Sequence, residues 1–507
     1  MRKKTVILIA IFLAGMCSII YELLISTTAT YFLGNGVRQF SLIIGIYLFS
    51  MGIGSYISKF LKSKPLLFFI QLEYLLGMIG GFSVPLLYFS FVTLSSLLFQ
   101  LFCLVIVFII GLLTGLEVPL LTFALNDIKD NISEVLSLDY LGGLIATLIF
   151  PFIILPFIGL FYSSLLFGII NISLGIALNI IYSKTYKKGL IIGGSMIILL
   201  TSIIIYAGQL MEVWDQKIYK RPVVYQEQTP YQKIVFTKKN NDIRLYLNRV
   251  VQFVSSDEHR YHESLVHIPF LVHGNPKSVL ILGGGENLAS REVLKHTNIH
   301  KIDVVDIDQR MFDLAKSNEL LTNINKNAAV NKKVNLICKD AFSFLSNNSY
   351  EYDIIIADLP DPTYESIARL YSKQFYFLVH RSLDKDGVFV TQSGEIYFSN
   401  TAFNCIYNTL ESCFHSIKAY HTYIPSFGDW GFIMAKKKEF PKLNFQLIDH
   451  IPQLKYLDAE LAKFSMKFPN DITFKETKIN TLDRPIILNY FLDDWSKWRA
   501  DFENTTK

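Results

Sequence analysis

The stretch ILGGGENLASREVLKH, residues 281–296, decides the fold of the second half of the chain. Three glycines follow an apolar strand and precede a segment with helical periodicity. This is the strand–turn–helix pattern with which a Rossmann-like fold holds a nucleotide. The next residue is an acid, Glu286. Because a carboxylate repels phosphate, the turn predicts a ligand that accepts a negative charge beside the glycines.

Short apolar runs recur along the second half, and stretches of helical periodicity separate most of them. They are VLILG (279–283), IDVVDID (302–308), VNLICKD (334–340), YDIIIAD (352–358) and GVFVTQS (387–393). The alternation predicts a parallel, doubly wound sheet in an α/β Rossmann-like domain of the class I methyltransferase type, residues 277–437. Residues 222–276 alternate apolar and polar side chains around a turn at 240–242, which predicts a small antiparallel β-sheet.

Acids stand at the carboxyl ends of these strands, where such sheets bind ligands. Glu286 follows the first strand, Asp306 and Asp340 end the second and third, and Asp358, followed by Asp361, ends the fourth. One acid after a strand is often only a helix N-cap, but four in succession are improbable by chance. An acid on the second strand suits ribose hydroxyls, and Asp340 suits an adenine amino group. The remaining carboxylates suit a sulfonium cation, so the rim predicts S-adenosylmethionine or a relative as ligand.

The first half differs sharply in composition, since residues 1–208 are rich in Ile, Leu, Phe and Gly and carry few charges. A transmembrane helix needs about 20 apolar residues. Seven segments satisfy this by hydropathy, near 5–27, 40–61, 66–90, 94–117, 141–158, 160–182 and 189–208. We therefore expect an α-helical multi-pass membrane domain over 1–208, followed by a short polar linker at 209–221.

Basic residues flank several of these spans. Clusters at 2–4, 59–64 and 184–188 predict a cytoplasmic amino terminus. Seven spans would then leave the second half outside, yet a further basic cluster at 217–221 follows the last span. The charge pattern therefore leaves the side of the second half open.

Three acids, Glu22, Glu73 and Glu117, lie within predicted spans. Intramembrane carboxylates often mark a path for a cation. The alternative is that each is protonated or hydrogen-bonded to a neighbouring helix and holds the bundle together.

Length, charge and cysteine content exclude other classes. A chain of 507 residues suggests two or more units, and its formal net charge of +5 gives little support to nucleic-acid binding. The cysteines form no CxxC pair, so we expect neither a disulfide framework nor a metal site. They are Cys17, Cys103, Cys338, Cys405 and Cys413.

A series of motifs carries a family resemblance. They are QTPYQKIVF (228–236), LYLNRVVQFVSSDEHRYHESLVH (245–267), NPKSVLILGGGENLASREVLKH (275–296), VVDID (304–308), DAFSFL (340–345), DLPDP (358–362) and VTQSG (390–394). Through them the second half resembles the spermidine synthase family, the polyamine aminopropyltransferases. The whole chain resembles the multi-pass membrane branch of that family through IIYELLISTTATYFLGNGVRQFSLIIGIYLFSMGIGSYIS (19–58), IPSFGDWGFIMA (424–435) and NTLDRP (480–485).

The resemblance implies that decarboxylated S-adenosylmethionine gives its aminopropyl group to an amine. Putrescine would give spermidine and methylthioadenosine, with no cofactor beyond this co-substrate. The implied site residues are Gln232, Tyr261 and His262 around donor and amine, Gly283, Gly284, Gly285 and Glu286 in the turn, Asp306 at the ribose, Asp340 with Ala341 at the adenine, Asp358 as the acid that activates the amine, Asp361 beside it at the diamine, and Gln392 near the same cleft.

Glu286 has a specific meaning in this light. It lies where ordinary S-adenosylmethionine would place its methionine carboxylate, which it repels, whereas the decarboxylated donor presents only an ammonium group. Two positions depart from the family. Asn287 replaces a usual glycine, and Phe427 stands where soluble members carry a tyrosine whose hydroxyl helps to hold the amine, a hydroxyl that the membrane branch also lacks. These departures concern the acceptor amine, and a longer or differently shaped amine is an alternative to putrescine.

Two alternatives remain. One is a methyltransferase that uses S-adenosylmethionine, and the other is a polyamine-binding or nucleoside-binding sensor or transporter without turnover. By analogy with the family we expect a homodimer, and no nucleic-acid partner. We also expect a cell-membrane protein whose catalytic domain faces the cytosol, where the donor is made, and a helical extension over 438–507.

Overall fold

A computed structural model describes residues 2–34, 36–125, 128–183 and 186–505, with side chains for 5–34, 36–125, 132–183 and 187–497. The predicted basic clusters at 2–4 and 184–188 therefore lie wholly or partly outside the described side chains. The chain forms two compact units, Met1–Val223 and Val224–Lys507.

The first unit consists of long apolar helices. Seven helices within the described residues are long and apolar enough to cross a membrane, which confirms the predicted number. They are α1 (Arg2–Leu33), α2 (Gly36–Ile57), α3 (Pro65–Thr93), α4 (Ser96–Ala124), α5 (Ile128–Ile149), which continues as a π-helical segment to Ile158, α6 (Leu160–Tyr182) and α7 (Tyr186–Tyr219).

The last two helix boundaries follow from glycine and proline. Gly159 has a φ of 78°, a conformation that favours glycine, and α6 begins directly after it. In contrast, α7 continues to Tyr219, so most of the predicted polar linker at 209–221 is helical. No glycine or proline interrupts residues 209–221, and the helix ends just before Pro222. Met211 and Trp214 also pack on the apolar cluster of the unit.

Two of the three acids within the predicted spans lie together. Glu73 on α3 and Glu117 on α4 are both buried, and the charge of each carboxyl group would influence the other. Within the described residues, neither oxygen of Glu73 nor Oε1 of Glu117 has a hydrogen-bond partner. Glu22 is only partly buried. Both interpretations of these acids therefore stay predictions.

The second unit opens with a four-stranded sheet in sequential order, and its mapped strand pairs are antiparallel, as predicted. Its strands are β1 (Val223–Gln228), β2 (Lys233–Lys239), β3 (Asp242–Leu247) and β4 (Val250–Val254). Asn240, with a φ of 55°, turns the chain between β2 and β3. The predicted sheet region extended to 276, but residues after β4 form a helix, α8 (Glu258–His273).

A seven-stranded sheet forms the centre of the second unit. Its strands are β5 (Ser278–Gly283), β6 (Lys301–Asp306), β7 (Val334–Cys338), β8 (Tyr352–Asp358), β9 (Leu383–Glu395), β10 (Ser416–Ile424) and β11 (Gly428–Lys436), in the order β10-β11-β9-β8-β5-β6-β7. The pairs from β9 to β7 are parallel, as predicted, whereas β11 pairs antiparallel with both β9 and β10.

Helices separate and cover these strands. They are α9 (Leu288–Val293), α10 (Gln309–Ser317), α11 (Glu319–Asn325), α12 (Ala341–Asn347), α13 (Glu365–Ala368), α14 (Lys373–Ser382) and α15 (Asn400–Glu411). Because both faces of the sheet are covered, the central strands are buried and nearly wholly apolar, as in Val279–Leu282 and Ile354–Ala357. The result is a Rossmann-like sheet preceded by a small antiparallel sheet.

The carboxyl-terminal extension, residues 438–507, is helical only in part. Beyond a short 3₁₀ turn at 445–450 it contains α16 (Ala459–Phe464) and α17 (Ile486–Thr505). The predicted helical extension is therefore wrong for much of 438–485, where Pro441, Pro452 and Pro469 interrupt helix formation.

Candidate active site

The glycine turn lies against the carboxyl end of β8. Gly283 pairs in register with Asp358, and a Cβ atom added at Gly283 would lie 2.1 Å from the Asp358 carbonyl oxygen. Gly283 and Gly284 have φ values of 84° and 62°, which favour glycine. The turn therefore brings its backbone next to Asp358.

Asn287 continues this turn in the left-handed conformation, with a φ of 66°. Its Nδ2 donates to the carbonyl oxygen of Gly285 at 2.8 Å, and its Oδ1 accepts from the Ser290 hydroxyl at 3.1 Å. Asparagine is the residue that tolerates this conformation best after glycine. Asn287 therefore adopts the left-handed conformation of this turn, which a glycine would also adopt without strain.

A cluster of polar side chains gathers beside the turn. Acceptor atoms of His262, Glu286 and Asp358 all lie within 4.8 Å of one another. His262 Nε2 is 3.9 Å from Glu286 Oε1, and the Tyr261 hydroxyl donates to Asp358 Oδ1 at 2.6 Å. We call His262, Glu286 and Asp358 the ammonium cluster, for a geometric reason. These atoms lie close enough together for one nitrogen placed between them to form hydrogen bonds with all three.

The carboxyl groups in and near this cluster have raised pKa values. Burial raises the pKa of Glu286 to about 8, the charge of Asp358 adds to the shift, and His262 opposes it. Burial likewise raises the pKa of Asp358, again against His262. Burial also raises the pKa values of the nearby acids Asp306 and Asp361 to about 6 each. A bound cation would stabilise the charged form of all these carboxyl groups.

A second group of residues forms around the end of β6. Asp306 accepts hydrogen bonds from the backbone N–H groups of Gly285, at 3.2 Å, and Asp308, at 2.9 Å. Asp308 in turn accepts from Gln232 Nε2 at 3.0 Å. The predicted ribose acid and the predicted Gln232 are thus joined through Asp308, whose part could be suspected from the DID pattern at 306–308.

Asp340 and Ala341 lie at the start of α12. Asp340 caps this helix by accepting from the Ser343 N–H at 2.9 Å, and its other oxygen forms an ion pair with Arg369. Arg369 was not anticipated, and no sequence signal indicates it. The carboxylate is therefore oriented by protein groups on both oxygens.

Asp361 and Gln392 meet beyond the end of β8. Gln392 Nε2 lies 3.4 Å from Asp361 Oδ1 and donates to the carbonyl oxygen of Leu359 at 2.8 Å. The same nitrogen lies 2.7 Å from the Tyr371 hydroxyl, which donates to the Pro360 carbonyl oxygen. Tyr371, also not anticipated, thus braces the DLPDP segment.

Phe427 lies on the turn between β10 and β11. Its ring is 5.3 Å from that of Trp430, and it is partly buried. It contributes an apolar surface without a hydroxyl.

Two buried charged residues behind His262 were also not anticipated. Glu258 accepts from or shares a proton with His262 Nδ1 at 2.8 Å, and Arg291 forms two hydrogen bonds of 2.9 Å with Glu258. The spacing of Glu258 and His262, four residues apart on one helix, is a signal that could have revealed the first contact.

Residues 258–446 match the family described as spermine/spermidine synthase domain. A polyamine aminopropyltransferase of Leptospira interrogans is 36% identical over 504 residues, covering 97% of this chain and 99% of the relative. Polyamine aminopropyltransferase 1 of Streptomyces coelicolor is 35% identical over 509 residues, covering 97% and 95%.

Two solved structures are also similar. A spermidine synthase in complex with the transition state analogue AdoDATO is 26% identical, covers 49% of this chain and 86% of its own, and has a TM-score of 0.47. Spermidine synthase from Thermotoga maritima is 26% identical, covers 49% of this chain and 85% of its own, and has a TM-score of 0.46.

Proposed function

Because the chain belongs to the polyamine aminopropyltransferase family, we propose that it moves the aminopropyl group of decarboxylated S-adenosylmethionine to putrescine. The products are spermidine and methylthioadenosine. The observation that carries this proposal is the ammonium cluster, where two carboxylates and an imidazole converge beside a glycine turn. A site of this composition suits a donor that carries both a sulfonium and a primary ammonium group.

The donor is held at three points in this proposal. Asp306 accepts hydrogen bonds from the ribose hydroxyls. Asp340 and Ala341 border the adenine, and Gln232 closes the site from the small sheet. Glu286 and His262 accept from the ammonium group of the aminopropyl chain. The raised pKa values of Glu286 and Asp306 support a cationic ligand here, because a cation offsets the effect of burial.

Asp358 acts as the general base. An amine with a pKa like that of lysine, about 10.4, is largely protonated at neutral pH and must lose a proton before it attacks. The proton moves from nitrogen to Asp358, and the freed electron pair forms a bond to the carbon attached to sulfur. The carbon–sulfur bond breaks, its electron pair returns to sulfur, and the neutral thioether leaves. Positioned proton transfer of this kind contributes about 10²–10⁴-fold.

Asp361 holds the far end of the acceptor. Its carboxyl group, oriented by Gln392, lies in the DLPDP segment three positions beyond Asp358. A diamine with one nitrogen at Asp358 would place the other near this second acid. Phe427 offers no hydroxyl to this amine, so the fit to putrescine depends on Asp361 and on shape.

Glu286 provides selectivity for the decarboxylated donor. Ordinary S-adenosylmethionine carries a carboxylate at the end of the same chain, and Glu286 would repel it in a site with little water. This argument favours aminopropyl transfer over methyl transfer, since a methyltransferase must bind the intact carboxylate.

We propose further that the first unit anchors the enzyme in the cell membrane, since its helices have the length and apolarity of membrane spans. The donor is made in the cytosol, which favours a cytosolic catalytic unit. That requires an even number of crossings, so one of the seven helices would be re-entrant. A carboxyl-terminal green fluorescent protein fusion would fluoresce in the cytosol and stay dark outside.

The decisive test is methylthioadenosine release by detergent-purified full-length protein. Decarboxylated S-adenosylmethionine is supplied with putrescine, and then with spermidine, cadaverine or diaminopropane. Turnover with putrescine that disappears in Asp358→Asn supports the proposal. Faster turnover with another amine would identify that amine as the preferred acceptor. Donor binding without turnover would indicate a sensor, and methyl transfer from S-adenosylmethionine would indicate a methyltransferase.

A further inference from the structure

His262 is held from behind by a residue of its own helix. Its Nδ1 lies 2.8 Å from Glu258 Oε2 and 2.8 Å from the Glu258 carbonyl oxygen. Both of these oxygens accept hydrogen bonds, so Nδ1 carries a proton. In the neutral imidazole the other nitrogen, Nε2, then has a free lone pair. This Nε2 is the atom that faces Glu286.

Arg291 locks Glu258 in place. Its two terminal nitrogens donate to the two oxygens of Glu258, each at 2.9 Å, which is the bidentate geometry that fixes a carboxylate most firmly. Its Nε donates to Glu292 at 2.8 Å, and one terminal nitrogen also reaches the Ile324 carbonyl oxygen. The Glu258 side chain is only 3% exposed, so solvent screens this pair weakly.

The charges behind His262 affect its protonation. Burial alone would lower the pKa of His262, but the hydrogen bond and charge of Glu258 raise it above the usual imidazole value. Asp358 adds to the rise and Arg291 opposes it. Burial tends to raise the pKa of Glu258, but His262 and Arg291 outweigh it and bring the value to about 2. Glu258 is therefore ionised throughout the working pH range.

We propose that Glu258 and Arg291 are positioning residues that fix His262 with Nδ1 protonated and Nε2 turned toward the ammonium group of the donor, and that they thereby set the pH above which the donor binds. The inference rests on the proposed function, because the donor ammonium is the group that Nε2 receives. Neither residue touches a substrate. They act only through His262.

The consequence is a proton linked to donor binding. Four charged groups face His262: Glu258 from α8, Arg291 from α9, Glu286 from the turn and Asp358 from β8. When His262 is protonated, Nε2–H is a donor rather than an acceptor, and its charge repels the incoming cation. The donor therefore binds after the ammonium cluster, which titrates as a unit, has lost a proton.

The test is the pH dependence of kcat/KM for the donor, measured on full-length protein in detergent. Its acidic limb is the pH range over which kcat/KM rises as the ammonium cluster loses its proton. Glu258→Gln removes a negative charge, so the cluster loses its proton more readily and the acidic limb moves to lower pH by about one unit. Arg291→Gln removes a positive charge, so the limb moves to higher pH by about one unit. A purely structural role would lower activity without shifting the two limbs in opposite directions.

Two further variants isolate the cause. In a His262→Gln background, Glu258→Gln should no longer move the limb, because its effect passes through the imidazole. Glu263→Gln is the matched control. Glu263 is a buried acid of the same helix that accepts from the backbone N–H groups of Lys455, Tyr456 and Leu457. Its loss should lower thermal stability and leave the limb in place.

A single substitution leaves a buried charge unpaired and destabilises the fold. The double variant Glu258→Gln/Arg291→Gln removes both charges together. The acidic limb of the double variant should lie at a lower pH than that of the wild type, since Glu258 contacts the imidazole and Arg291 does not. Limbs that stay at the wild-type position, or that move in the same direction in both single variants, would overturn the inference.

Donor binding is followed in parallel by calorimetry in two buffers with different heats of ionisation, which measures proton release directly. The wild type should release a proton on binding near neutral pH, and Glu258→Gln should release less. Donor binding with proton release but without turnover rejects the proposed function and keeps this inference. Binding without proton release rejects the inference alone, and absence of donor binding rejects both.

Discussion

The hydroxyl of Tyr261 donates a hydrogen bond of 2.6 Å to Oδ1 of Asp358, a residue 97 positions further along the chain. The other carboxylate oxygen, Oδ2, lies beside the glycine turn, 3.1 Å from where a Cβ atom at Gly284 would be. The Tyr261 hydroxyl thus hydrogen-bonds Oδ1, and Oδ2 lies on the side of the glycine turn. We expect the hydrogen bond to orient Asp358 for proton transfer through Oδ2.

Tyr261→Phe should lower kcat about 10- to 100-fold, because a hydrogen bond to a charged group is worth about 1.5–3 kcal/mol. The hydroxyl also lowers the pKa of Asp358 against the effect of burial, so its loss leaves less of the ionised base. Steady-state methylthioadenosine release measures the change.

Tyr420→Phe is the control for that substitution. Tyr420 is a buried tyrosine of the same unit, and its hydroxyl donates to the Ser264 carbonyl oxygen at 3.0 Å. We expect lower thermal stability with an unchanged kcat. Equal kcat losses in both variants would assign the Tyr261 effect to packing.

Glu286→Gln should raise KM for the donor about tenfold or more, since the neutral amide attracts an ammonium group less strongly. It should also weaken discrimination against S-adenosylmethionine, because the repulsion of the methionine carboxylate disappears. Competition of the two nucleosides for binding measures both effects. Glu286→Asp keeps the charge, so it should retain selectivity. A neutral variant that discriminates as well as the wild type would show that selectivity lies elsewhere.

Donor binding should strengthen as pH rises through about 8, because burial raises the pKa of Glu286 to that value and only the ionised form attracts the cation. Stability should follow the opposite direction. A carboxyl group whose pKa rises from 4.5 to about 8 on folding binds its proton more tightly in the folded state, so the unliganded protein loses stability as pH rises through that window.

Melting temperatures from pH 5 to pH 9, with and without decarboxylated S-adenosylmethionine, check this sign. The donor should stabilise the protein more at the alkaline end. Glu286→Gln should flatten the profile of the unliganded protein. A wild-type melting temperature that rises across the same range would contradict the assigned direction.

Asn287→Ala should destabilise the second unit by about 2 kcal/mol, since alanine is strained in the left-handed conformation by about 1–2 kcal/mol and loses two side-chain hydrogen bonds. Asn287→Gly should destabilise the unit less, because glycine also loses the two hydrogen bonds but adopts this φ without strain. Thermal unfolding in detergent compares the two. If both variants lose the same stability, the hydrogen bonds of Asn287 matter more than its backbone conformation.

Local sequence patterns were sufficient for the small sheet, for β5 to β9, for the glycine turn and for the acids at the strand ends, but β10 and β11 were not predicted. Each depends on neighbours within a few residues: an apolar run, a glycine that permits positive φ, or an acid that follows a strand. The long apolar helices were predicted for the same reason, because span length and hydropathy are local properties. The end of α7 near Pro222 and the irregular segment 438–485 differ from the prediction, because proline ends or interrupts helices there.

Tertiary structure alone decided which of these residues meet. Arg369 reaches Asp340 across 29 positions, and Arg291 reaches Glu258 across 33, and neither basic residue belongs to a pattern that predicts its partner. The register of β5 against β8 brings Gly283 to Asp358. Such contacts depend on how strands pair and helices pack, which no short stretch of sequence contains. The sequence by itself therefore determined the chemistry available at the sheet edge, and the packing of distant segments decided its geometry.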